Sequence, residues 1–158
     1  MIRLGLCLNL EHPQKALTQY GNYNFNSMCK FGDKYIGCKE NGIFELDKGD
    51  LDGTNPIQAF FVTHTNDFKS SFNSRVRSLY IGGEANGMMQ ITCITDEKEG
   101  SPATFEMKDQ EQSTVKVPGN RDEAGRYRSF KVENLNGSDF SIDKIEMVPT
   151  LLNRVSSV

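Results

Sequence analysis

The sequence predicts an all-β protein: an antiparallel β-sandwich, jelly-roll-like, preceded by a small β-meander and an N-terminal strand. Three observations predict it. Apolar residues recur with a period of two in short runs, as in Met89, Ile91 and Cys93 against Gln90, Thr92 and Ile94, which is the spacing of a half-buried strand. Turn residues punctuate the runs, with 14 glycines, 5 prolines and pairs such as Gly32-Asp33, Asn41-Gly42 and Asn86-Gly87 supplying the backbone angles that chain reversal needs. No stretch sustains the 3.6-residue period of a long amphipathic helix.

The 158 residues suffice for one sizeable core, since a chain of this length buries about 70% of its unfolded surface, and two full domains are not expected. A net charge of −3 and a pI near 5.4, with scattered basic residues, give no footprint of a nucleic-acid binder. Cys7, Cys29, Cys38 and Cys93 lack C-x-x-C spacing, so reduced thiols acting as small hydrophobes are expected, with a Cys29–Cys38 bridge as the minor option. No apolar run reaches membrane-span length and no signal peptide is visible. The expected product is a soluble protein made in the cytoplasm.

Along the chain, Leu4, Leu6, Leu8 and Leu10 alternate with Arg3, Gly5, Cys7 and Asn9. They form either the first strand of the sandwich or an arm that adds as a strand to a neighbouring subunit. His12-Pro13 ends that strand, and Gln14 to Tyr20 reads as a helical turn or a loop. Residues 1–22 are thus an N-terminal strand or arm. Residues 23–55 hold the meander, with short strands after Tyr23, from Lys34 to Cys38 and from Ile43 to Leu46, joined at Gly32-Asp33 and Asn41-Gly42; the pattern has no second copy, which excludes a propeller.

Residues 56–150 form the sandwich. Ile57 to Thr63 is a strand and His64 to Asn73 a polar loop. Arg77 to Ile81 and Met88 to Thr95 read as the arms of a central hairpin around Gly82 to Gly87. Phe105 and Met107 lie in another strand and Thr114 to Val117 in a further one, followed by an exposed loop from Gly119 to Gly125. Tyr127 to Asn134 alternates, with Phe130, Val132, Arg128 and Asn134 on one face. Phe140 and Ile142 are out of phase with Ile145 and Met147, which predicts a bulge near Asp143-Lys144. Pro149 closes the strand, and residues 151–158 form a tail.

Little chemistry is encoded. Asp50 to Gly53 and Asn134 to Asp139 resemble calcium loops but complete no ligand register; turns select the same residues. No Gly-x-Ser-x-Gly elbow is present, and His64 has no nucleophile beside it. A non-enzymatic protein with no metal and no cofactor is therefore expected. Tyr20, Tyr23, Phe25 and Phe31 crowd the N-terminal third, more than a small meander buries by itself, so a subunit contact is expected there.

Several segments, in order, resemble virion structural proteins of tailed bacteriophages. They are Tyr23-Asn24-Phe25-Asn26-Ser27-Met28, Tyr35-Ile36-Gly37, Asn41 to Leu46, Arg75 to Gly83, Gly125 to Phe130 and Asn136 to Asp143. The likeness spans roughly Leu6 to Val155. It implies a non-enzymatic part of the virion, in the tail or at its junction with the head, assembled in the host cytoplasm and bound to copies of itself or to other tail or portal-proximal proteins. It implies no catalytic residue, no nucleic-acid partner and no membrane. Leu4, Leu6, Leu8 and Leu10 would supply strand pairing, and Tyr20, Tyr23 and Phe25 apolar contact. Relatives of this type often carry a longer region ahead of the leucine strand. The alternative is a carbohydrate- or receptor-binding sandwich of the virion, suggested by the closing Asp139 to Pro149 run and opposed by the absence of tryptophan.

Overall fold

The computed structural model describes residues 5–8, 17–21, 23–46, 48–49, 51–108, 111–120 and 123–152. The chain is all-β and divides into two compact units, Met1–Gly49 and Asp50–Val158. The leucine strand and the meander therefore share one unit.

In the first unit β1 (Gly5–Leu8) pairs antiparallel with β2 (Leu17–Tyr20). This overturns two expectations. The segment read as a helical turn or loop holds a strand, because Thr18 and Tyr20 are β-formers and β1 offers the segment a partner. The leucine strand belongs to this two-stranded sheet and not to the sandwich. β3 (Ser27–Phe31), β4 (Lys34–Lys39) and β5 (Gly42–Leu46) form the expected meander. Its first turn is the Gly32-Asp33 pair between Phe31 and Lys34, with Gly32 at φ 60°. The second turn falls one residue earlier than expected: Lys39 pairs with Gly42, so Glu40-Asn41 makes the reversal and Gly42 opens the strand.

The second unit contains the short β6 (Leu51–Asp52) and β7 (Asn55–Pro56), which pair with each other. The sandwich follows: β8 (Phe60–Val62), β9 (Ser74–Ala85), β10 (Met88–Thr95), β11 (Lys98–Glu99), β12 (Ala103–Glu106), β13 (Ser113–Pro118), β14 (Ala124–Gly125), β15 (Arg128–Asn134) and β16 (Phe140–Leu151). One sheet runs β8, β15, β10, with β11 and β12 both on the outer edge of β10; the other has β9 between β16 and the pair β13 and β14. Their apolar faces share one core of Val76, Leu79, Ile81 and Ala85 from β9, Met89, Ile91 and Cys93 from β10, and Phe105, Met107, Val117, Phe130 and Val132.

The expected central hairpin is thereby corrected. β9 and β10 follow each other in sequence, yet they are inner strands of different sheets, and Asn86-Gly87 carries the chain across. Gly82 and Gly83 lie inside β9, where Gly83 pairs with Ser113 on one side and Ile142 on the other. The alternation of both runs reports burial, and a buried strand at the centre of either sheet shows it equally.

The phase conflict in β16 is resolved as the spacing predicts. Ile142 pairs with Gly83 and Lys144 with Gly82, leaving Asp143 as the extra residue of a bulge. A second shift leaves Arg77 of β9 unpaired between Val76 and Ser78, which lets Val76 and Leu79 face the same core despite their opposite parity. Pro149 does not close the strand. It sits within β16 opposite Val76, tolerated because β16 is an edge strand and needs no donor there. In β15 Arg128, Phe130, Val132 and Asn134 are all buried as their common phase implies, and Ser129 on the opposite phase is buried as well.

Candidate interaction surface

Within the first unit, aromatic rings join the two small sheets. Tyr20 stacks on Tyr23 with ring centroids 5.6 Å apart, Tyr23 meets Phe25 edge-on at 5.1 Å, and Phe25 meets Phe44 at 6.3 Å. Two glycines make room for this row: a Cβ on Gly5 would meet the Tyr23 ring, and one on Gly37 the Phe25 ring, each at 2.4 Å. The Lys39 ammonium lies 4.6 Å from the Phe25 centroid and 5.2 Å from that of Phe44. Such edge and cation contacts add about 0.5–1.5 kcal/mol each beyond area burial. Tyr23 and Phe25 are thus half-buried as the spine of the unit, while Tyr20 remains exposed.

Cross-strand register assigns the faces of the meander, since paired residues share a side. Met28, Tyr35, Gly37, Lys39, Phe44 and Leu46 lie on the face that receives Phe25. Cys29, Phe31, Lys34, Ile36, Cys38, Ile43 and Glu45 lie on the other. On that outer face Phe31 and Ile43 are 73% and 74% exposed. Across it the Lys34 ammonium donates to the Glu45 carboxylate at 3.1 Å and holds that carboxyl below its ordinary range. An exposed pair of this kind adds little stability; its consequence is an outer face with its charges already matched. Cys29 and Cys38 share the face as free thiols, placed diagonally and not opposite one another.

Of the residues expected at an interface, Leu6 is 70% exposed on the side of β1 away from Tyr23, and Leu17 of β2 stands beside it at 66%. Leu8 pairs through its backbone with Leu17; its side chain, like Leu4 and Leu10, lies outside the described residues. Tyr20, Tyr23 and Phe25 come together, but Phe31 does not join them and Phe44 does. Sequence reading passed over Phe44 and the exposed Ile43. The signal for Phe44 was Gly37, its cross-strand partner, whose missing side chain marks the face on which a ring can lie. No family model, curated protein or solved structure matches the chain.

Proposed function

We propose that the protein is a non-enzymatic structural component of a tailed-bacteriophage virion, in the tail or at the head–tail junction, acting through subunit contacts. The observation that carries this reading is the outer face of the meander. This unit of 49 residues leaves Phe31 and Ile43 on that face 73% and 74% exposed, and Leu6 and Leu17 on the other small sheet 70% and 66% exposed, and exposed apolar surface of this extent marks interaction sites. Contact on this face hides apolar area without stranding a charge, because Lys34 and Glu45 already pair across it. The order of segments that resembles virion proteins supplies the setting. Copies of the chain, or neighbouring tail and portal-proximal proteins, are the partners.

The test is the double substitution Phe31→Lys with Ile43→Lys, compared with the parent by light scattering and by co-sedimentation with purified tails lacking this protein. The parent is expected to assemble or to bind tails. The variant is expected to do neither while keeping its far-ultraviolet spectrum. A parent that stays monomeric and ignores tails overturns the reading.

A further inference from the structure

At one end of the sandwich the chain crosses between sheets twice, through residues 63–73 after β8 and through Arg126-Tyr127 between β14 and β15. These crossings lie side by side, since Asn66 and Arg128 exchange backbone hydrogen bonds of 2.8 and 2.9 Å. The Asp96-Glu97 turn between β10 and β11 joins them: the Asp96 carboxylate accepts the Tyr127 N–H at 2.9 Å and the Arg126 N–H at 3.2 Å.

Backbone strain concentrates here. Five non-glycine residues among those described have left-handed φ, and four of them, Phe68, Lys69, Asp96 and Glu97, stand at this end. Asp96 and Glu97 are the central pair of a two-residue hairpin turn, which requires positive φ at both. At Phe68 and Lys69 the left-handed backbone is unfavourable by about 1–2 kcal/mol each, and strain of this kind clusters at ligand clamps when the surroundings enforce it. They do so here. Asn66 Oδ1 accepts the Phe68 N–H at 2.7 Å and Asp67 Oδ1 the Lys69 N–H at 3.0 Å. Asp67 also receives Arg126 at 3.3 Å, and the Arg126 guanidinium lies 5.1 Å from the Tyr127 ring centroid. This end presents Phe68, Phe72 and Tyr127 at 44%, 42% and 47% exposure beside the hydrogen-bonded Asp67–Arg126 carboxylate–guanidinium pair.

We propose that this end is a carbohydrate-binding platform centred on Phe68, Asp67, Arg126 and Tyr127. A sugar ring offers an apolar C–H face and an edge of neighbouring hydroxyls. The first is met by an exposed aromatic ring with a polar tip such as Tyr127. The second is met by planar, pre-positioned carboxylate and guanidinium groups, whose donors and acceptors come in pairs. Prior fixation of the loops removes much of the ordering cost of binding. A protein partner is served better by the broad apolar face of the meander, which this platform lacks. The site is built from residues of the second unit alone and does not rest on the assembly reading.

The test uses the full chain on an array of bacterial surface oligosaccharides, followed by titration of a bound oligosaccharide against 15N-labelled protein. Binding is expected, with shifts confined to residues 64–73, 96–97 and 126–128. Tyr127→Ala and Phe68→Ala are each expected to weaken it about tenfold or more, the worth of one ring contact. Tyr127→Phe, which keeps the ring and reports that the fold survives, retains most of the affinity, and Phe31→Ala is unchanged. A silent array, shifts elsewhere, or full binding by both alanine variants overturns the proposal. So does a protein that competes for this end in an array-silent chain.

Discussion

Arg128 carries a guanidinium yet is only 1% exposed, in phase on β15 with the core residues Phe130 and Val132. Among the described residues its charge is met by oxygens other than carboxylates: Ser74 Oγ at 2.6 Å, the Ser74 carbonyl, and the Glu123 carbonyl at 3.5 Å, while Nε is buried without a partner. Ser74 opens β9 and Arg128 opens β15, so this one side chain ties the two sheets together. Arg128→Ala is expected to cost about 3 kcal/mol or more, because it leaves a void and strands the oxygens it served. Arg128→Met is expected to cost roughly half as much, since it fills the space and removes a desolvated charge. Urea midpoints at constant slope measure both, and equal losses would show that volume is irrelevant at this position. The alternation of β15 already places Arg128 in phase with Phe130 and Val132. Its partner, 54 residues away, was not legible, because periodicity says nothing about which distant strand lies opposite.

At the scale of elements, the same limit separates what the sequence discloses from what it hides. The Asp143 bulge was visible as a phase conflict between Phe140, Ile142 and Ile145, Met147, a purely local feature. The Gly32 turn was visible for the same reason. The pairing of β9 was not: Gly82-Gly83 looked like a loop, whereas Gly83 is where the bulged strand passes closest. A Cβ on Gly83, whose φ is 153°, would meet the Ser141 carbonyl oxygen at 2.2 Å, while one on Gly82 would rest at 3.6 Å from the Lys144 Cβ. Gly83→Ala should therefore cost about 2 kcal/mol or more and Gly82→Ala little, as read by thermal or urea unfolding. Similar losses at both positions would mean that the bulge gives way without cost. The grouping of the aromatic rings was legible to the same partial degree. Tyr20, Tyr23 and Phe25 are neighbours in sequence and in space, but the exposed pair Phe31 and Ile43 comes onto one face only through the register of β3, β4 and β5.

For the molecule as a whole, the titrating groups define a plateau of stability. Hydrogen bonds lower three carboxyls: Glu45 through Lys34, Asp67 through the Lys69 N–H and then Arg126, and Glu133 through Lys131 and then Gln90. A carboxyl lowered by folding stabilises above its unfolded value and loses that contribution as pH falls through the folded one. Ordinary values of 3.8 and 4.5 place this loss on the acid side. Cys93 behaves oppositely: burial raises its thiol above the ordinary 9.0, so its contribution is whole below that value and declines as pH rises beyond it. Urea midpoints across pH should be flat between these limbs. Glu133→Gln should flatten the acid limb and Cys93→Ala the alkaline one. Limbs that both variants leave unchanged would assign the titration to other groups.

The placement of β9 and β10 in opposite sheets also governs the order in which the protein can be made. Leu79 and Ile81 leave the ribosome well before Met147 and Ile145, the residues they face in the longest ladder of the sandwich. During most of the synthesis that follows β9 one of its flanks is therefore bare, and the core lacks the cover that β16 provides. A nascent chain stalled before Phe140 is not a smaller sandwich but an open one, with its central strand offered to any chaperone or unfinished copy nearby.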